Sequence, residues 1–249
     1  MTDSYQRRKL ATIWEGSFVV ELGRLRHAVA LAGMQPDDGS LLAALAHVDR
    51  SPSPTRGSHT PDPTPDPEAD RLRALVELAV DGDVEAFGQL YDHYVTGIYR
   101  FVYYRVGSAQ LAEDITSETF VRGLRAISRF SWQGKDFGAW LTTIARNLVT
   151  DHYKSSRARL EIVSDSVPES PRTAPSPEEE VLSLVSNEML FEAVNQLPTE
   201  QRDCVLMRFI QGLSIAHTAA ALGRSEGAIK QLQLRAVRSL AKNISEDVR

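Results

Sequence analysis

Apolar residues recur at helical intervals along most of this chain, and the recurrence fails in two places. Phe18, Leu22, Leu25 and Val29 follow one another as the stripe of one helix face does. Gln35–Ser40 interrupts with Pro and Gly, and Leu41–Val48 resumes, so residues 1–50 predict one or two short amphipathic helices. Ser51–Glu68 is acidic, rich in proline and nearly free of apolar side chains, which predicts an extended linker and a boundary near residue 68. Residues 69–158 read as helical throughout. Asp83 is placed to cap a helix from Val84 to about Val106, with Glu85 favourable in its first turn. Gly107-Ser108 marks a turn, a second helix runs from about Ala109 to Phe130, Ser131–Asp136 is a loop, and a third helix starts near Asp136. Periodicity is lost again over residues 159–185, where Glu161, Asp165, Glu169 and Glu178–Glu180 outnumber Arg172 and prolines stand at 168, 171, 175 and 177. Helical spacing returns as Asn187–Leu197, Thr199–Gln211, Ile215–Leu222 and Ser225–Asn243. No stretch alternates as a strand does, and no phosphate-binding glycine loop is present. The pattern predicts an all-α fold: two small helical domains, at 69–158 and 186–249, joined by an extended acidic linker (159–185), with a partly disordered N-terminal extension (1–68).

Composition refines this in two respects. The formal charge of −5 over 249 residues argues against nucleic acid only as an average, because charge is segregated along the chain. The single cysteine, Cys204, supplies neither an internal disulfide nor a cysteine zinc site; it reads as a helix-core residue of a protein in a reducing compartment. The apolar stretch Phe18–Met34 is broken by Glu21, Arg24, Arg26 and His27, a poor signal peptide, and no run is apolar enough to predict a membrane span.

The sharpest local signal is LSIAHTAAALGRSEGAIKQLQLRAVRSL. Gly223 sits where a tight turn needs positive φ, Ala219 is small where two helices would cross, and Ile229, Leu232, Ala236 and Leu240 point the second helix inward. That is helix-turn-helix spacing. Lys230, Gln231, Leu234, Arg235 and Arg238 fall on the outer face, Arg224 precedes the helix, and Ser225 is its N-cap, an end that also suits a phosphate. Gln and Arg side chains bind adenine and guanine bidentately and Leu234 would touch a thymine methyl. A solvated basic helix of an ordinary bundle is the plain alternative.

The helix after the SWQGKD loop is amphipathic too. Phe137, Trp140, Leu141, Ile144 and Leu148 form a core face, opposite Arg146, Asn147, Thr150 and Lys154. From Arg122 to Arg159 eight basic residues face two acidic ones, a net of +6. A basic face beside an aromatic loop suits single-stranded DNA, with charge tracking the backbone and Trp132 available for stacking; core packing of Trp132 is an equal alternative. The preceding helix carries Glu113, Asp114 and Glu118, of which the last two stand at i, i+4 and repel unless solvent or a basic partner intervenes. A carboxylate pair also suits acid–base catalysis, but no nucleophile, glycine loop or histidine accompanies it, and His93, His152 and His217 make no metal spacing.

AFGQLYDHYVTGIYRFVYYRV, AEDITSETFVRGLRAISRF and FGAWLTTIARNLVTDHYKSSR resemble region 2 of the extracytoplasmic-function (ECF) sigma factors, within the sigma-70 family. LPTEQRDCVLMRFIQGLSIAHTAAALGRSEGAIKQLQLRAVRSL resembles their region 4. The resemblance covers about two-thirds of the chain, in the right order. It implies a non-enzymatic cytoplasmic protein, without cofactor or membrane insertion, that binds core RNA polymerase and directs initiation at promoters. It places Asp114, Glu118 and Phe120 against the β′ clamp helices, with further contact to the β subunit. Trp132, Lys135, Arg146, Asn147 and Lys154 would hold the −10 element as melted strand, and Arg224, Ser225, Lys230, Gln231, Leu234, Arg235 and Arg238 would read the −35 element as duplex. The acids of 161–180 would thread toward the polymerase cleft. The chain departs from the family pattern at Ile215-Ala216-His217-Thr218, where acidic residues are usual, and at Gln231 and Leu234, so the family's promoter sequence does not carry over.

The extension at 1–68 is similar to the pro-region of BldN-type developmental sigma factors of filamentous actinobacteria. That implies a removable N-terminus and an anti-sigma partner, with the Phe18–Val29 helix shielding region 2 or targeting the proform. A regulator with a LuxR-type C-terminal module would explain 186–244, but not the basic segment, the SWQGKD loop or the acidic helix.

Overall fold

The structure is a computed structural model that describes residues 18–34, 37–47, 67–132, 136–160 and 189–247. Of the expected linkers, Ser51–Glu68 and 159–185, residues 51–66 and 161–185 lie outside the described residues, as does Lys135, while residues 67–68 and 159–160 are helical. Among the described residues every regular element is helical.

Two short helices, α1 (Phe18–Gly33) and α2 (Asp38–His47), lie on either side of a cap in which Asp37 carboxylate oxygens accept from the Ser40 amide and hydroxyl at 2.9 and 2.8 Å. Helix α3 (Pro67–Val80) starts with proline and carries Glu68 and Asp70 in its first turn, both suited to a helix N-terminus. It packs on α4 (Val84–Val106), whose start is fixed as expected: Asp83 Oδ1 accepts from the Glu85 and Ala86 amides at 2.9 and 3.0 Å. Gly107, at φ +70°, ends α4, and Ser108 caps α5 (Ala109–Ala126). The expected helix to Phe130 instead tightens into a 3₁₀ turn at Ile127–Arg129. This lets Phe130 turn inward against Phe137 and Trp140 of α6 (Phe137–Leu160). Helices α3–α6 pack around Leu90, Ile98, Phe101, Tyr104, Phe137 and Leu141, all essentially solvent-free.

The C-terminal domain comprises a helix over residues 189–196, called α7, then α8 (Thr199–Val205), α9 (Ile215–Leu222) and α10 (Glu226–Asp247). The expected helix Thr199–Gln211 is present in length, but its last turn, Leu206–Ile210, widens to a π-turn with Gln211 N–H bonded to Leu206 C=O. Its side chains are buried, Arg208 included; Arg208 Nε donates to Gln233 Oε1 of α10 at 3.0 Å and Nη1 to the Leu213 carbonyl. The two domains share one apolar core. Phe191 of α7 lies against the rings of Tyr103 and Tyr104 of α4, with centroids 5.7 and 5.3 Å away. Helix α6 packs on α9 and α4 on the π-turn.

The N-terminal helices are where the structure departs most from the sequence reading. α1 does not lie over the first domain. It packs on α10 and on the π-turn, with α2 also against α10, burying Leu25, Ala28, Val29, Ala32, Leu41 and Leu45. The side chains of Phe18 and Leu22 fall outside the described residues.

Candidate nucleic-acid interface

The helix-turn-helix forms as its residues require. Ser214 Oγ accepts from the His217 amide at 3.0 Å and starts α9. Gly223 ends it at φ +63°, a conformation costly to any residue with a Cβ. Ser225 Oγ accepts from the Ala228 amide at 3.2 Å and starts α10. Ala219, Ile229 and Cys204 close a small core at the crossing, with Ile215, Leu222 and Leu232 around it. Burial pushes the Cys204 thiol up to about 12, with Asp203 adding to the shift and Arg208 opposing it. On α10, Lys230, Gln231, Arg235 and Arg238 are exposed, as are Arg224 and Ser225 ahead of it.

Leu234 is a correction. It is 3% exposed and belongs to the core, so it does not sit on the outer face. Leu234, Val237 and Ala241 make a second apolar stripe beside Ile229, Ala236 and Leu240. Helix α10 is covered by α1 and α2 as well as by α8 and α9, so more than one stripe of it is buried. Arg238 pairs with Asp38 of α2. Arg224 Nη2 lies 2.5 Å from Glu200 Oε1, both half exposed.

In the first domain Asp136 Oδ1 accepts from the Ala139 amide at 3.1 Å and opens α6. Gly138 follows, where a Cβ would lie 2.7 Å from Tyr94 Cε1 and force the ring to move. Burial, reinforced by Asp136 and Glu68, raises the Tyr94 phenol above its usual range. Trp140 is partly buried, between Phe130 and Phe137. Trp132 is half-buried with its edge on Phe130 and the Arg73 guanidinium 5.2 Å over its ring, a cation–π contact from α3. Asn147 and Lys154 are exposed on α6.

On α5, Asp114 is exposed to solvent and Glu118 has a basic neighbour one turn along, with Arg122 Nε 2.7 Å from its Oε1. Phe120 does not stand beside them. It is 5% exposed and meets Tyr91 edge-on at 4.7 Å, because Ile115, Thr119 and Phe120 form the side of α5 that is turned inward. Exposed apolar side chains beside the acidic pair are instead Val121 and Leu124, which sequence periodicity did not single out.

The group that sequence reading missed is Asp203. It sits on α8 in TEQRDC, a context that reads as a solvated charge. In the fold it has no solvent exposure and lies between the two domains. Arg146 Nε of α6 donates to its Oδ2 at 3.0 Å. Arg105 Nε of α4 lies 3.1 Å from Oδ1, off the hydrogen-bond line, so this contact is chiefly coulombic. Arg202 is next to it, its basicity lowered by burial and by Arg105. Around this pair, Gln211 Nε2 donates to Thr142 Oγ1 at 2.9 Å and Tyr153 Oη donates to the Arg105 carbonyl at 2.9 Å.

Among the described residues no cluster of three or more His, Cys, Asp and Glu is arranged to hold a metal, and no helix is long and apolar enough to cross a membrane. A helix-turn-helix with a basic outer face, behind a helical domain with its own basic helix, defines a nucleic-acid-binding protein. Residues 90–159 match the family model for sigma-70 region 2, and residues 187–240 that for sigma-70 region 4. The chain is 52% identical over 187 residues to the ECF RNA polymerase sigma factor BldN of Streptomyces coelicolor, covering 75% of this chain and 71% of that protein. It belongs to the ECF sigma factors, which direct promoter-specific transcription initiation by RNA polymerase. A solved RsbN–BldN complex holds a chain 49% identical, with 67% of this chain and 97% of that chain covered and a TM-score of 0.30. The sigma factor RpoE, solved with the anti-sigma factor NepR from Bartonella quintana, is 24% identical with a TM-score of 0.50, over 66% of this chain and 99% of that chain.

Proposed function

We propose that this sigma factor divides promoter reading between α6 and α10. The observation that carries the reading is the exposed basic face of α10, with Lys230, Arg235 and Arg238, in a domain that matches region 4, together with exposed Asn147 and Lys154 on α6 in a domain that matches region 2. Asn147 and Lys154, with Trp132, Lys135 and Arg146, would hold the melted −10 strand; charge follows the phosphates while Trp132 offers a stacking surface. Arg224, Ser225, Lys230, Gln231, Arg235 and Arg238 would meet the −35 duplex in the major groove, each good bidentate base contact contributing about 1–3 kcal/mol of discrimination. Leu234 supports the helix and does not read bases. The α5 face of Asp114 and Glu118, extended by Val121 and Leu124, would bind the β′ clamp helices of core polymerase, with Phe120 supporting it from beneath. The β subunit and promoter DNA complete the assembly, which acts in the cytoplasm at the nucleoid and performs no catalysis of its own.

The extension to residue 68 would act as a pro-region, on region 4 rather than region 2, since α1 and α2 seat on α10. An anti-sigma partner is supported by the complexes of BldN with RsbN and of RpoE with NepR. The deciding experiment is run-off transcription with core polymerase and this protein, with transcript starts sequenced. Transcripts from a defined set of promoters are expected. No transcript from any promoter, together with no binding to core, would overturn the reading.

A further inference from the structure

We propose that the closed packing of the two domains is a self-screened state, latched by Asp203, in which region 4 occupies the place on region 2 that the promoter strand needs. The proposal rests on the assignment of Arg146 to the melted strand. Arg146 presents one guanidinium, and in this structure its Nε donates to a carboxylate from the other domain. A carboxylate and a phosphate take the same donors from arginine, so Asp203 and DNA compete for it.

The geometry makes the latch discriminating. Asp203 has no exposure, and Arg105 and Arg146 approach it from two different helices of region 2. Removing one partner from such a buried set strands the remaining charges. The same pattern recurs at the edges of the chain's other basic face, where Glu200 holds Arg224 and Asp38 of α2 holds Arg238. Three arginines assigned to DNA are each held by an acidic side chain of this same protein. Of the three, the Asp203 pair joins the domains and is the most deeply buried. Opening the chain therefore releases Arg146 and exposes its face of α6 in one step.

The full-length chain tests this in two variants. Asp203→Asn removes the charge that Arg105 and Arg146 share. Gln211→Phe leaves Asp203 intact and adds no charge but crowds Thr142 across the same interface, and it keeps the test decisive where Asp203→Asn fails to fold. Small-angle scattering reads closure, and fluorescence anisotropy with a fluorescein-labelled mixed-sequence DNA single strand reads screening. Either folded variant is expected to increase the radius of gyration and to tighten strand binding about tenfold, the gain that follows when a competent state is no longer a minor one. Arg146→Ala is expected to expand the chain without that gain in affinity. An unchanged radius, or an expanded chain that binds the strand no better, would overturn the proposal. Run-off transcription with the unmodified protein separates this outcome from failure of the sigma-factor assignment, since scattering reads the latch without polymerase or promoter.

Discussion

Single side chains in this protein are set more by burial than by residue type. Asp83 and Asp203 are both aspartates on helical domains, yet one caps a helix from the surface and the other joins two domains without exposure. Asp83→Ala removes two amide partners and is expected to cost about 1 kcal/mol of stability, read by thermal denaturation. Cys204 is the clearest titration case. Its folded thiol is shifted up from 9.0 to about 12, so the unfolded chain loses that proton first. Its contribution to stability is complete below pH 9 and declines as pH rises toward 12, which equilibrium unfolding across that range would show as a falling free energy. The same burial predicts that iodoacetamide leaves the native thiol unmodified near neutral pH and labels it once denaturant is added.

Helices α9 and α10 were legible in the sequence because Gly223 and Ser225 act locally and their chemistry is written in neighbouring residues, although the Ser214 cap of α9 was not singled out there. Helix α4 was legible for the same reason. The second apolar stripe of α10 was not, since this helix is packed on by helices that lie about two hundred residues away in the chain as well as by its neighbours. The role of Asp203 was equally hidden: nothing in TEQRDC tells a solvated aspartate from one facing Arg105 and Arg146. The same residues separate structure from recognition on this one helix. Leu234→Ala is expected to cost about 2–5 kcal/mol in folding free energy, seen in chemical denaturation. Lys230→Ala, fully on the surface, is expected to leave stability unchanged within about 0.5 kcal/mol. It should weaken binding of the holoenzyme to promoter DNA in a gel-shift titration.

At the scale of the whole molecule, the N-terminal helices behave as part of the C-terminal domain's core. Deleting residues 1–66 would strip α1 and α2 from the apolar side of α10 on which they pack and release Arg238 from Asp38. The truncated protein is expected to melt at a lower temperature than the full chain and to bind a hydrophobic dye that the full chain does not, both read in one thermal scan. If truncation changed neither, the seat of α1 and α2 on α10 would carry no stabilising burial. The placement also explains why an acidic chain can hold basic reading surfaces, since part of its negative charge, at Asp38, Glu200 and Asp203, lies directly against them.

The carboxylate between the domains has a bearing on how such proteins can be recombined. Because Asp203 belongs to one domain and both of its arginines to the other, the three positions form a lock and key that must travel together. A chimera that joins this chain's region 2 to a foreign region 4 with a neutral residue at the equivalent of Asp203 would carry two arginines with no counter-charge between its halves. Exchanging modules to redirect promoter choice would then unbalance the resting state of the hybrid as well as its reading specificity, unless residue 203 is transplanted with the graft.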